Sequence, residues 1–85
     1  MAEFLIADGF VDSLKKLEKS TQEQLKDRLR FLAAVENPLL FAKKMKGYKD
    51  VFRFRSGDYR ILFRLQSGKF VLLLVKHRKD IYAGL

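Results

Sequence analysis

Residues 51–65 read VFRFRSGDYRILFRL. Apolar and arginine side chains alternate on both sides of Gly57-Asp58, a dipeptide suited to a two-residue hairpin loop. With that loop, Ser56 pairs with Tyr59, Arg55 with Arg60, Phe54 with Ile61, Arg53 with Leu62 and Phe52 with Phe63. Phe52, Phe54, Ile61 and Phe63 then share one face of the hairpin. Arg53, Arg55, Arg60 and Arg64 share the other. A one-residue slip would set Arg55 against Tyr59 and mix the faces, so side-chain chemistry selects this register.

The pattern extends in both directions. Ser67-Gly68 makes a second tight turn, after which Leu65 pairs with Phe70, Phe63 with Leu72 and Ile61 with Leu74. Phe70–Val75 is apolar on both faces, as a central strand requires. Strict alternation sends Val71, Leu73, Val75 and His77 to the arginine face. Arg78 falls on the opposite parity and needs a bend or bulge to join it.

Upstream, Phe4–Ile6 reads as a strand and Asp8 as the cap of a short helix with Phe10, Leu14 and Leu17 on its apolar stripe. Ser20-Thr21-Gln22-Glu23 fits a capping box, followed by a Leu25, Leu29, Leu32 stripe and the helix-stopping Pro38. Residues 39–50 read as a short helical turn and a loop. The expectation is a single α+β domain over residues 1–85. In it an N-terminal strand and three later strands are expected to form a mainly antiparallel four-stranded sheet, with an antiparallel helix pair packed on one face.

Charge separates the two halves of the chain. Residues 1–42 carry six basic and seven acidic side chains, whereas residues 43–85 carry twelve basic and three acidic ones, Asp50, Asp58 and Asp80. The overall charge of +8 is therefore concentrated beside the hairpin, which favours a polyanionic partner such as nucleic acid. There is no cysteine and one histidine, which excludes a disulfide framework and a cysteine or histidine-cluster metal site. No apolar run approaches membrane-spanning length, and Met1–Asp8 lacks a basic signal-peptide start, so a cytoplasmic location is expected.

A solvated sheet face would explain arginines whose stems cover apolar neighbours. Against that stands the pairing of Arg55 with Arg60, a like-charge cross-strand contact that destabilises a sheet. A phosphate between them resolves the conflict, because guanidinium forks match phosphate geometry. Lys44 and Lys46 are candidate further phosphate contacts. His77, at the rim of such a face, is a candidate general acid or base. Tyr82 is either a packing anchor or a group that stacks on a base. No carboxylate pair accompanies the arginines, which disfavours a two-metal nuclease; if the chain is a nuclease, metal-free cleavage with the RNA 2′-hydroxyl as nucleophile is expected.

Three segments together, Lys46-Gly47, Phe52-Arg-Phe-Arg-Ser-Gly-Asp-Tyr-Arg-Ile-Leu-Phe63 and His77-Arg-Lys-Asp-Ile-Tyr82, resemble the RelE branch of the RelE/ParE toxin superfamily. The likeness covers essentially the whole chain. It implies the toxin of a type II toxin–antitoxin pair, an endoribonuclease without cofactor that cuts mRNA in the A site of a 70S-type ribosome. It also implies a RelB-like antitoxin partner, with promoter DNA bound only through that complex. Carried over by position, Arg60 would hold the scissile phosphate, Arg78 would stabilise the transition state and Tyr82 would orient the substrate. Arg53 and Arg55 stand where family members carry lysine. Arginine stays protonated, so they are expected to clamp phosphate while His77 moves the proton. The alternatives are a ParE-like inhibitor of DNA gyrase and a catalytically weak nucleic-acid binder on the same fold.

Overall fold

The computed structural model describes residues 2–81. The elements run β1 (Phe4–Ile6), α1 (Asp8–Lys15), α2 (Lys19–Ala34), a 3-10 turn (Pro38–Phe41), β2 (Ala42–Lys44), β3 (Val51–Ser56), β4 (Tyr59–Gln66), β5 (Lys69–His77) and a second 3-10 turn (Arg78–Asp80). The sheet order is β1-β5-β4-β3-β2, with β1 parallel to β5 and every other pair antiparallel.

The sheet thus has five strands rather than four. The extra strand is β2, in the stretch expected to be loop, and it is legible afterwards as Ala42 and Lys44 alternating with Lys43 and Met45. Both helices also start earlier than their capping residues suggested. Ala7, not Asp8, stands at the first N-cap and Glu18, not Ser20, at the second, and neither makes a side-chain cap hydrogen bond. The turn between the helices is closed instead by Gln22, whose side chain donates to Leu17 O and whose backbone N–H donates to Glu18 O.

Phe10 from α1 and Leu25 and Leu32 from α2 pack on Phe54, Ile61, Phe63, Phe70, Leu72 and Val75 of the sheet. The hairpin register is the one its side chains select, from Ser56–Tyr59 through Phe52–Phe63. Both turns keep the expected loop length. Gly57 alone has positive φ in the first, and Ser67 and Gly68 both have it in the second, as type II′ and type I′ turns require.

The strand after the second turn departs from expectation. Phe63 faces Leu72, but Leu62 faces Leu74, so Leu73 is a bulge with no partner in β4. Leu73 and Leu74 both turn toward the open face, where they pack against Met45, Val51, Leu62 and Ile81. Parity is reversed beyond this point. Val75 joins the helix-side core, Ile61 pairs with it rather than with Leu74, and His77 pairs with Tyr59.

Helix α1 holds the bulged strand. β1 pairs only as far as Leu72, and beyond it the Val75 N–H donates to Ser13 Oγ at 2.9 Å, while Ser13 Oγ donates to Phe10 O. Gly9 sits so close that an added Cβ would stand 3.0 Å from the Leu73 carbonyl oxygen. Ser13→Ala should leave a part-buried N–H unsatisfied and cost about 1–3 kcal/mol, read as a lower Tm in thermal denaturation. Ser13→Thr, which keeps the hydroxyl, should recover part of the loss.

Candidate nucleic-acid interface

Arg53, Arg55 and Arg60 share the face away from the helices, as their alternation dictates. Two further elements complete the cluster. In β2, Lys43 pairs with Arg53 and so faces the arginines, while Lys44 pairs with Phe52 and turns to the helix side. The lysine expected in the cluster was Lys44; the strand pleat puts Lys43 there instead. From α2, Arg28 reaches past the end of β2, and its Nε donates to Arg55 O at 3.1 Å. β2 pairs no further than Phe54, so Arg28 supplies a donor to a carbonyl at the sheet edge. Arg28, Phe41, Lys43, Arg53, Arg55 and Arg60 line one pocket of about 320 Å³. Five of the six are cations, the sixth is aromatic, and none is a carboxylate.

The bulge decides what β5 contributes. Arg60 pairs with Lys76, which therefore lies on the open face, and His77 lies on the other. The expected meeting of His77 with the arginines does not occur. Its ring stands edge-on to Tyr59 at 5.2 Å, and its Nδ1 accepts from the Lys79 N–H. His77 lines a separate cleft with Ser13, Lys16, Leu17 and Tyr59, and its neighbour Lys76 also borders that cleft. Arg78 gains the parity that the unbulged strand denied it. Its backbone N–H donates to Asp58 O at 2.7 Å, and its Nε lies 3.6 Å from Asp58 Oδ1. Asp58, read from sequence only as a turn residue, thus ties the hairpin loop to the C-terminal segment.

Two other expected contacts stand apart. Arg64 is exposed on the same face but two residues beyond Leu62, across the small apolar cluster of Met45, Val51, Leu62 and Ile81. Lys46 is exposed in the loop with Gly47, Tyr48 and Lys49. Tyr82 lies outside the described residues.

Arg60 is the electrostatic centre of the site. Its pKa is lowered from the ordinary arginine value, first by partial burial and then by Arg55, Arg53 and Arg78, with Asp58 acting in the opposite sense. Its Nη1 donates to Gly57 O and Tyr59 O, both at 2.9 Å, which holds the guanidinium near the turn. Arginine remains charged at neutral pH, so the lowered pKa records a burial cost and, after it, repulsion borne by the folded protein. An anion bound in the pocket removes that repulsion.

Sequence reasoning missed Arg28, Phe41, Lys43 and Lys76. The period-two run Phe41, Lys43, Met45 was a readable signal for the second and third. Arg28 flanks the Leu25–Leu32 stripe like any solvated helix residue, and nothing in Phe70–His77 announces a bulge.

Arg55→Gln removes the like-charge pair with Arg60 and should raise Tm by roughly 1–6 °C in the absence of anions. The same variant should show a smaller Tm gain than the parent on addition of inorganic phosphate, since the lost guanidinium no longer contributes to binding.

Comparison with known proteins agrees with this architecture. The family described as "ParE toxin of type II toxin-antitoxin system, parDE" matches residues 4–82. The chain is similar to toxin RelE3 of Methanocaldococcus jannaschii, at 31% identity over 81 residues and 92% of each chain. It is similar in structure to a chain of the RelB-RelE antitoxin-toxin complex from Methanococcus jannaschii, with a TM-score of 0.74 and 30% identity, covering 95% of this chain and 98% of that one. YafQ of Escherichia coli shares the fold alone, with a TM-score of 0.72 at 11% identity, covering 98% of this chain and 100% of that one. With this sheet, this helix pair and these relatives, the chain belongs to the RelE branch of the RelE/ParE superfamily and is a RelE-like toxin of a type II toxin–antitoxin system.

Proposed function

We propose that this toxin is an endoribonuclease that cuts mRNA in the ribosomal A site and so inhibits translation. The observation that carries the reading is the pocket of five cations that includes Arg60, where an RNA phosphate would offset the repulsion of Arg60 by Arg55 and Arg53. In the proposed step the 2′-hydroxyl of the RNA gives its proton to solvent water as its oxygen attacks the adjacent phosphorus, and the bond to the 5′-oxygen breaks. A 2′,3′-cyclic phosphate and a 5′-hydroxyl result. Charge builds on the non-bridging oxygens, where Arg60 and Arg78, with Arg53 and Arg55 as clamps, stabilise it.

The proton transfers need a different group from the arginines. His77 was the expected one, but its ring faces the Tyr59 side of the sheet. Lys76, the cross-strand neighbour of Arg60, is the better candidate to protonate the departing 5′-oxygen. Tyr82 keeps the substrate-orienting role that the family resemblance implies. The proposed partner is a RelB-like antitoxin, on the strength of the likeness to the RelB–RelE complex, acting in the cytoplasm.

The test is primer extension on mRNA from programmed ribosomes. The parent protein should cut in the A site. Arg60→Ala should lower the cleavage rate by roughly 100- to 1000-fold, the range for removing one charge-stabilising donor. Lys76→Ala should lower the rate at saturating ribosome while leaving ribosome binding nearly intact, and His77→Gln should change neither. A slow His77→Gln beside a normal Lys76→Ala would return the proton transfer to the histidine. Absence of cuts, together with inhibited gyrase supercoiling, would overturn the nuclease reading in favour of a ParE-like activity.

A further inference from the structure

Arg28 differs from the other cations of the pocket in how its side chain is held. Its Nε is engaged by Arg55 O, and its guanidinium carbon lies 5.2 Å from the centroid of Phe31 and 5.6 Å from that of Phe41. The two rings meet edge to face at 5.3 Å, and both are more than two-fifths exposed, at 44% and 42%. Asp27, the adjacent acid, pairs with Arg30 instead. The guanidinium is therefore fixed in place by a backbone carbonyl and two phenyl rings rather than by a counter-ion. A planar cation held in this way offers a flat surface at the mouth of the phosphate pocket.

We infer that Arg28, backed by Phe31 and Phe41, is a stacking platform for a nucleobase of single-stranded RNA, the base next to the phosphate held by Arg53, Arg55 and Arg60. The inference rests on the phosphate reading of that pocket and adds a contact to the base. Guanidinium planes and aromatic rings both accept unstacked bases, with little preference for sequence. Contiguity favours this occupant. Arg28 and Phe41 line the same pocket as the cation cluster, with Phe31 packed against both, as a base and its phosphate are joined in one nucleotide. An acidic peptide would use the charge of Arg28 but would gain nothing from the exposed rings beneath it. The platform sits on α2 and the 3-10 turn, outside the hairpin, and the position of Arg28 in its helix gives no hint of it.

The discriminating experiment is isothermal titration calorimetry at low salt with a short single-stranded RNA and with the same ribose-phosphate backbone lacking bases. The parent protein should bind the RNA about fivefold or more tightly than the abasic strand. Arg28→Lys keeps the positive charge of the pocket but loses the plane, so it should weaken RNA binding more than abasic binding and erase that preference. Phe41→Leu should act in the same direction and more weakly. Retained abasic binding in either variant also shows that the pocket is still folded. Equal binding of the two ligands by the parent protein overturns the inference, as does an equal loss for both ligands in Arg28→Lys. Failure of the parent to bind the abasic strand while it still binds RNA would instead sink the phosphate reading and leave the platform standing. If the variants keep their base preference but lose the antitoxin, the surface is a protein-docking site and the inference falls.

Discussion

The arginines of the open face are held there by the phenylalanines behind them. Phe54 and Phe63 stack at 4.3 Å, with Phe52 at 5.5 Å and Phe70 at 5.3 Å from Phe63. Burying one such side chain is worth about 1.5–3 kcal/mol, and the hairpin commits several of them to the same face. A like-charge pair such as Arg55–Arg60 costs only about 0.2–1 kcal/mol. Apolar burial therefore wins, and no register satisfies the phenylalanines while separating the arginines. Partial burial first, and then repulsion by the arginines that this core sets side by side, lowers the Arg60 pKa.

The bulge at Leu73 is the second constraint, and it works with helix α1. A regular β5 would put Val75 on the open face and His77 among the arginines. With one residue added, Val75 fills the core beneath α1 and Lys76 arrives beside Arg60. Ser13 takes the Val75 N–H and Gly9 allows the helix to approach the Leu73 carbonyl, so the irregular strand loses little hydrogen bonding. Leu73 and the added Leu74 on the open face are covered by Met45, Val51, Leu62 and Ile81. This small second core separates Arg64 from the cation pocket and brings the chain back past the hairpin loop, where Asp58 grips Arg78.

The site is thus assembled from α2, the turn before β2, β2 itself, the β3–β4 hairpin and the end of β5. In a protein of this size such sharing has a cost in charge repulsion and a gain in density of positive potential. The proteins it is similar to bear both names of the superfamily, ParE for the matched family and RelE for the curated relative and the solved complex. What distinguishes this chain within that fold is chemical. Arginine replaces the lysines that the family resemblance would place at Arg53 and Arg55, so these positions can clamp phosphate but cannot exchange a proton near neutral pH.

The hairpin, its two faces, the two turns and the helix-side core as far as Leu72 were legible in the chain, because alternation and turn chemistry are local and admit one register. So was the gathering of positive charge around the hairpin, with Arg53, Arg55 and Arg60 on one surface. Which residues joined them depended on packing between elements. β2 forms because β3 offers an edge, and that pairing selects Lys43 over Lys44. Arg28 belongs to the site because β2 ends too early to satisfy Arg55 O, and Lys76 replaces His77 because α1 stabilises a bulge. Each of these turns on a contact between elements distant in the chain, to which neither periodicity nor composition is sensitive.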